Sequence, residues 1–183
     1  MYKVVDVETG DEVPPGEQGH LLVRGPVVTP GYYDKPEETE AAFASGGWLR
    51  TGDIGSIGAD GYLRLTGRLK ETYRCGGEMV MPKEIETVLE QHPEVRAAHV
   101  VGIRHARMGE IGCAWVIPRD ADRPPKPEDL IEHCSSHLAR FKVPRHVVFT
   151  SAEELPVTAT GRVQKFRLTE LAELRLSEEP APA

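Results

Sequence analysis

The sequence predicts an α+β fold in two parts, a small β-rich part followed by a compact part with a small sheet and about three helices. Before about residue 70, apolar residues come in short β-type runs separated by turn-forming residues. After it, segments with helical spacing alternate with further strand-like runs. The 183 residues, 39% of them hydrophobic, are enough to bury a core in one large domain or two small ones. The change of pattern predicts a boundary near residues 68–71.

The first part is predicted from strand-like runs and the turn residues between them. Pro36 suits the first turn of a helix, where a missing N–H costs nothing, and the two glutamates that follow suit the helix dipole. Asp60 and Gly61 indicate a turn between two strands. We expect the first two strands to pair as a hairpin-like unit. The predicted elements are strands 3–7 and 20–24, a helix over 36–44, and strands 53–57 and 62–66.

The second part is predicted from amphipathic segments. Ile85, Val88 and Leu89 recur at helical spacing, and Pro93 follows where that helix must have ended. A proline-rich linker over 124–127 precedes another segment with one apolar stripe. The predicted elements are helix 82–92, strands 95–103 and 111–117, helix 128–139, strand 146–150, a last helix from about residue 166, and a frayed tail over 178–183.

Charge and cysteine content restrict the partners and the compartment. The 22 basic and 29 acidic residues give a net charge of -7, and the basic residues are scattered. A nucleic acid or an anionic membrane would need a clustered basic face, so neither is expected as a partner. The three cysteines lie far apart, no signal peptide follows Met1, and no apolar run is long enough to span a bilayer. We therefore expect a cytoplasmic protein.

The segment over 46–53 is unusually rich in residues that serve ligands. Glycines, which let the backbone approach a bound molecule, alternate there with the guanidinium of Arg50 and the carboxylate of Asp53. Such a combination suits a ribose and its phosphate. The alternative is an ordinary turn, in which glycine and aspartate are also common.

Short motifs are distributed over nearly the whole chain. They are Gly31-Tyr32-Tyr33, Gly47-Trp48-Leu49-Arg50-Thr51-Gly52-Asp53, Asp60-Gly61-Tyr62-Leu63, Gly67-Arg68-Leu69-Lys70-Glu71, Gly76-Gly77-Glu78, His92-Pro93-Glu94-Val95, Phe141-Lys142-Val143-Pro144 and Leu155-Pro156 through Lys165. In this order and spacing they resemble the acyl-CoA synthetase branch of the acyl-adenylate-forming enzymes.

The resemblance implies an activity and a domain plan. Enzymes of this family activate a carboxylic acid with Mg-ATP to an acyl-AMP and pyrophosphate, and then pass the acyl group to coenzyme A. A large N-terminal domain holds ATP and the acid, and a small C-terminal lid domain moves between the two half-reactions. The implied divisions are 1–67 as the β-rich tail of the large domain, 68–71 as a hinge, and 72–183 as the lid.

Two family elements find no match in these residues. The Ser/Thr/Gly-rich phosphate loop and the segment with the Mg²⁺-binding glutamate are both absent from the sequence. The chain therefore resembles the last third of a ligase. The implied cofactors are ATP or AMP, CoA and Mg²⁺, the implied partners are a carboxylic acid and the N-terminal domain, and the Mg²⁺ ligand would lie in that domain.

The resemblance also implies nucleotide-binding and hinge residues. Asp53 matches the aspartate that accepts hydrogen bonds from both ribose hydroxyls, for which a carboxylate has two suitable oxygens. Arg68 matches an arginine that reaches the ribose or phosphate, the alternative being an ordinary surface ion pair. Lys70 falls on the hinge position, where the backbone of one residue absorbs the rotation of the lid.

A glycine loop is implied to line the CoA channel. Gly76, Gly77 and Glu78 match the loop that enters the active site for thiol transfer, where a Cβ would obstruct the pantetheine arm. The alternative is a simple loop leading into the following helix. Cys75 lies beside them, but the sequence places no histidine or acid to activate it as a nucleophile.

One position departs from the family pattern. Where a lysine follows the glycine and acts in adenylation, this sequence has Arg162 after Gly161. A guanidinium keeps the charge but is wider and planar, so the replacement is not conservative. Lys165, three residues later, is the nearest possible substitute. Thiol transfer does not use that lysine and is less affected.

Other interpretations remain open. His133 and His137 have the spacing of zinc ligands on a helix, but no third ligand is evident and a structural role is the alternative. The whole chain could be part of an acid–thiol ligase, or a non-catalytic module that binds nucleotide or a partner. A third reading, an adenylation domain that loads a carrier protein, would require a downstream thiolation sequence.

Overall fold

The computed structural model describes residues 1–178, which divide into two compact units. The first unit is Met1–Lys70 and the second begins at Glu71. Both combine strands with helices, and the predicted α+β fold class is confirmed. None of the helices within residues 1–178 is long and apolar enough to cross a membrane.

The first unit is built around one long strand. Its sheet contains β1 (Tyr2–Val5), β2 (Gly19–Val23), β3 (Phe43–Ala44), β4 (Trp48–Ile57) and β5 (Leu63–Arg68). Helix α1 (Pro36–Ala42) comes directly before β3 in the chain. The order is β1-β2-β4, with β3 and β5 both paired to β4. β1 and β2 are antiparallel neighbours, as the hairpin-like prediction required.

Several boundaries in this unit differ from the prediction, and two of the differences follow from pairing with β4. The helix ends at Ala42 instead of residue 44, because Phe43 and Ala44 pair with the start of β4 as a short strand. β4 also begins five residues earlier than predicted, at Trp48. Both differences come from pairing with a distant strand, which outweighs the local preference of a short segment.

The second unit has a mixed sheet covered by helices. Its elements in chain order are a 3₁₀ turn (Leu69–Glu71) at the unit boundary, β6 (Tyr73–Cys75), β7 (Glu78–Val80), α2 (Pro82–Glu90), β8 (Val95–His105), β9 (Gly109–Pro118), α3 (Pro127–His137), β10 (His146–Phe149) and α4 (Lys165–Glu178). β9 is the central strand, antiparallel to β8 and β6 and parallel to β10. In this unit, the sequence reading missed the β6–β7 hairpin.

The core of the second unit is apolar and continuous. It contains the fully buried Ile85 and Leu89 of α2, Leu130 of α3 and Leu168 of α4, which pack against the sheet. The apolar faces predicted for α2 and α3 are therefore buried, whereas Leu171 and Leu174 of α4 are exposed. The predicted frayed tail lies, beyond Glu178, outside the described residues.

The outer edge of β8 is covered by carboxylates from two helices. Glu86 accepts the Val100 N–H at 3.0 Å, Glu90 accepts the Ala98 N–H at 3.5 Å and Glu173 of α4 accepts the Arg104 N–H at 3.3 Å. An open edge strand offers unpaired N–H groups to other chains, and these side chains occupy them. These three amides are therefore unavailable for pairing with another strand.

Candidate nucleotide site and catalytic segments

Asp53 and Arg68 form a cross-strand ion pair in the first unit. They are direct partners in the β4–β5 ladder, and Arg68 Nε lies 2.8 Å from Asp53 Oδ1. The side chains are 24% and 38% exposed, respectively, so both can still meet a ligand. The two residues that the resemblance assigned to the nucleotide are thus adjacent, with acceptor and donor capacity to spare.

Two irregularities of the sheet lie beside Asp53. The register of β2 against β4 shifts beside Thr51 and Gly52, and the register of β4 against β5 shifts just after Ile54. Gly52 has φ +74°, a conformation that only glycine adopts readily. Bulges of this kind redirect a side chain out of the regular alternation. Asp53 therefore lies within the first irregularity, and the second adds an extra residue, Thr66, to the opposite strand β5.

Thr51 and His20 hold the first bulge. The Thr51 hydroxyl donates to Leu21 O at 2.8 Å and accepts the Asp53 N–H at 3.0 Å. His20 Nε2 accepts the Gly52 N–H at 3.1 Å, which requires a lone pair on that nitrogen. Sequence reasoning placed His20 in an ordinary strand and missed this contact. The opposing strand has to be in register before the contact exists, so no local pattern signals it.

The environment of His20 favours the neutral ring that this hydrogen bond needs. Its side chain is buried, and burial lowers its pKa, as does the nearby Arg50, while Asp53 acts in the opposite direction. A neutral His20 accepts from Gly52, and a protonated one could not. The backbone at Asp53 is therefore supported by a titratable side chain.

Lys70 lies at the boundary between the units. It is exposed, in the 3₁₀ turn Leu69–Glu71, and the units divide directly after it. The hinge role was assigned to the backbone of Lys70, so it does not require a contact of the side chain. Its role as a hinge stays a prediction.

Gly76 and Gly77 form the turn of the β6–β7 hairpin. Their φ angles are +63° and +90°, the pattern of a two-residue turn that requires positive φ at both positions. A Cβ on Gly76 would also lie 2.8 Å from Met108 Cε, whereas one on Gly77 would meet open space. The hairpin turn therefore accounts for both glycines without a channel. Their implied contact with CoA, and that of the exposed Glu78, stay predictions.

Arg162 is exposed on a small hairpin of the second unit. Val157 and Val163 pair across its base, and the Thr158 N–H donates to Arg162 O at 2.8 Å. The Arg162 N–H donates in turn to the Thr158 hydroxyl at 3.1 Å. No ion pair to the Arg162 guanidinium exists within residues 1–178. A permanent cation is thus presented to solvent at the family lysine position.

Lys165 is in a different situation. Its ammonium lies 2.6 Å from Glu86 Oε1 and 3.2 Å from Glu71 Oε2, and its side chain is 16% exposed. A substitute for the adenylation lysine needs a cation that can reach a substrate. Here the charge is already balanced by two carboxylates. The role of Lys165 as a substitute for the adenylation lysine stays a prediction. Its two ion pairs argue against that role, because they already engage the ammonium group.

The remaining candidate residues, Cys75, His133 and His137, are buried or hydrogen-bonded to the backbone. Cys75 is a buried residue of β6. His133 Nε2 lies 2.9 Å from Val88 O and His137 Nδ1 lies 2.8 Å from His133 O, so each ring is bonded to a helix carbonyl. Within residues 1–178, no group of three or more His, Cys, Asp or Glu side chains is arranged to hold a metal ion.

Comparison with known proteins identifies the family. Residues 84–162 match the model of the AMP-binding enzyme C-terminal domain. The medium-chain acyl-CoA ligase ACSF2 of Danio rerio is 38% identical over 95% of this chain, and the oxalate–CoA ligase of Arabidopsis thaliana is 43% identical over 86%. The chain spans 28% of the first relative and 30% of the second.

Solved structures agree with the sequence matches. The ATP-bound MatB of Rhodopseudomonas palustris superposes with a TM-score of 0.87 at 37% identity, and the match covers 94% of this chain and 34% of MatB. The similarity therefore extends over both units, well beyond the segment matched by the family model. The chain belongs to the acyl-CoA synthetase family of AMP-binding enzymes and corresponds to the C-terminal part of its members.

Proposed function

We propose that this chain is the C-terminal part of an ATP-dependent acid–thiol ligase, which converts a carboxylic acid, ATP and CoA to acyl-CoA, AMP and pyrophosphate. The observation that carries the proposal is the Asp53–Arg68 pair, which lies beside two register shifts in a chain of this family. The ligases among its relatives support the reaction class. They differ in their acids, so the acid is left open.

Asp53 and Arg68 would hold the sugar of the adenylate. The ion pair occupies Asp53 Oδ1 with Arg68 Nε, which leaves the second carboxylate oxygen and the terminal guanidinium nitrogens for a ligand. A carboxylate accepts from vicinal hydroxyls, and a guanidinium donates to phosphate or ribose oxygens. Arg68 would thus position Asp53 before the nucleotide arrives, which reduces the entropy lost on binding.

Arg162 would supply the cation for adenylation. Negative charge is redistributed between the carboxylate and the α-phosphate in that step, and a fixed positive charge stabilises it. The exposed guanidinium on the 157–163 hairpin has the required charge, in a planar form. Gly76, Gly77 and Glu78 would contact CoA in the second half-reaction. ATP and CoA are thus the proposed cosubstrates, and a Mg²⁺ ion would neutralise phosphate charge through ligands outside this chain.

A non-catalytic module is the second candidate. Arginine at the adenylation lysine position favours it, because an arginine has a different shape and a more diffuse charge. Such a module would bind AMP through Asp53 and Arg68 without turnover. The two candidate functions share the nucleotide site, and they differ in whether Arg162 supports adenylation.

Titration of the 183-residue chain with AMP, followed by backbone amide chemical shifts, tests the shared site. We expect weak binding that shifts residues 51–54 and 66–68. Asp53→Asn should weaken it about tenfold or more, the value of a hydrogen bond to a charged group. Asp60→Asn is the matched control, because Asp60 pairs with Arg64 on the same hairpin but away from the bulges. Equal affinities for these two variants would contradict the proposal.

A further inference from the structure

A largely buried ion cluster joins three segments of the second unit. Lys165 is the first residue of α4, Glu86 belongs to α2, and Glu71 ends the 3₁₀ turn at the unit boundary. Lys165 Nζ contacts one oxygen of each glutamate, at 2.6 Å for Glu86 and 3.2 Å for Glu71. The side chains of Lys165, Glu86 and Glu71 are 16%, 5% and 23% exposed. Segments that are distant in sequence thus meet at one ammonium group.

Glu86 fastens this cluster to the sheet. The oxygen that faces Lys165 also accepts the Val100 N–H of β8 at 3.0 Å. Its other oxygen lies 3.7 Å from Lys83, which is 54% exposed and also near Glu90. Lys83 is therefore a solvated neighbour, and Lys165 is the close cation. A buried carboxylate without a close cation is strongly unfavourable, so the position of Lys165 is narrowly defined.

The Lys165 ion cluster lies next to the segment that carries Arg162. The 157–163 hairpin ends at Val163, Gln164 N–H donates to Pro156 O at 2.8 Å, and Lys165 begins the helix. Arg162 is therefore three positions from a fixed point in the fold. On the other side of the cluster, Glu71 directly follows Lys70, the predicted hinge residue. One ammonium thus lies next to the end of the Arg162 hairpin and contacts the start of the second unit.

We propose that Lys165 is a positioning residue that holds the Arg162 hairpin and the segment after Lys70 in fixed places, and that it does not act as the substitute cation. Its effect on a reaction rests on the proposed function, but its effect on the two segments does not. Lys165 acts through Glu71 on one side and through Glu86 on the other. Loss of either partner therefore has a separate, local consequence.

Amide hydrogen exchange of the 183-residue chain tests the positioning directly. Lys165→Met should speed exchange of residues 158–163 and 71–73 by about tenfold or more while leaving β9 unchanged, because local opening is distinct from global unfolding. Lys165→Arg should restore most of the protection. Lys83→Met is the matched control and should leave both segments as in the wild type. A uniform increase across β9 as well, or no change anywhere, would overturn the proposal.

Glu71→Gln tests one arm of the cluster alone and disturbs the fold least. It should speed exchange over 71–73 and leave 158–163 protected, because the Lys165–Glu86 contact remains. If residues 71–73 keep the wild-type rates, Lys165 does not restrain the boundary segment and the proposal is wrong on that side.

The catalytic consequence is measured separately, in the complete polypeptide that carries this sequence. If Lys165 acts through Arg162, Lys165→Met lowers kcat for acid-dependent ATP–pyrophosphate exchange, and combining it with Arg162→Ala causes no further loss. If Lys165 is an independent cation, the two losses multiply, which would refute the positioning role. Failure of the proposed function appears instead as absence of exchange in the unmodified polypeptide, with the hydrogen-exchange results unaffected.

Discussion

Tyr73 and Gly112 make a close contact that can be tested with a double-mutant cycle. Tyr73 is 3% exposed in β6, and a Cβ added to Gly112 of β9 would lie 2.5 Å from its hydroxyl oxygen and 3.2 Å from Pro144 Cα. The hydroxyl has no hydrogen-bond partner within residues 1–178. Its burial, the largest cause, raises the Tyr73 pKa. β6 leads directly into the Gly76-Gly77 turn, so this contact lies beneath one of the proposed functional segments.

The expected energies follow from these distances. Gly112→Ala should destabilise the second unit by about 1–3 kcal/mol, the usual cost of overpacking a filled core. Tyr73→Phe should be neutral or stabilising, because an unpaired buried polar group costs about 1–3 kcal/mol. In the Tyr73→Phe background the 2.5 Å contact disappears, and the nearest remaining atoms are Pro144 Cα at 3.2 Å and Pro144 Cβ at 3.5 Å. Gly112→Ala should then cost about half as much or less.

Urea unfolding followed by tryptophan fluorescence measures the cycle. The chain has two tryptophans, Trp48 in the first unit and Trp115 in β9 of the second. A Trp48→Phe background leaves Trp115 as the reporter of the unit that contains the contact. Costs for Gly112→Ala that agree within about 0.5 kcal/mol in the two backgrounds, the usual limit of additivity, would refute the contact. Marked destabilisation by Tyr73→Phe would show that the hydroxyl has a partner, such as a buried water.

Three further predictions concern the proposed chemistry and the pH dependence. Burial lowers the His20 pKa below its ordinary value of 6.5, so the first unit should be fully stable above that pH and lose stability as the pH falls below it. His20→Gln keeps an acceptor for Gly52 and should flatten this dependence, measured by Trp48 fluorescence in urea at a series of pH values; an unchanged slope would exclude His20 as its source. In the complete polypeptide, Arg162→Lys should raise the rate of acid-dependent ATP–pyrophosphate exchange, and a lower rate would show that arginine is the adapted residue. The 183-residue chain alone should show no such exchange, because its sequence contains no phosphate loop; detectable exchange by the purified chain would disprove this.

The sequence alone was sufficient for features that depend on nearby residues. The apolar spacing of Ile85 and Leu89 predicted the helix that buries them, and the pairing of β1 with β2 was expected from the turn residues between them. Local pattern was insufficient for short elements. The three-residue strands on either side of Gly76 and Gly77 have too few residues for a period-2 alternation, and their pairing with each other defines them.

The nucleotide site shows the same division. Asp53 and Arg68 could be named from motifs. Their direct pairing depends on the β4–β5 register and on bulges, which the local sequence does not predict. His20 was missed because its contact with Gly52 exists only after two strands have paired. A register is decided by the packing of the whole sheet.

Lys165 shows why tertiary structure decides the role of a charged residue. By sequence it is a lysine three positions after Arg162 and a natural candidate for catalysis. Its partner Glu86 lies 79 residues away, and only the folded chain brings their charges to 2.6 Å. The sequence by itself determined the longer elements, the family motifs and the candidate residues, because these depend on local spacing. The tertiary structure decided which of those charges are satisfied and which, like Arg162, face solvent, because Coulomb energy and desolvation depend on distances between remote segments.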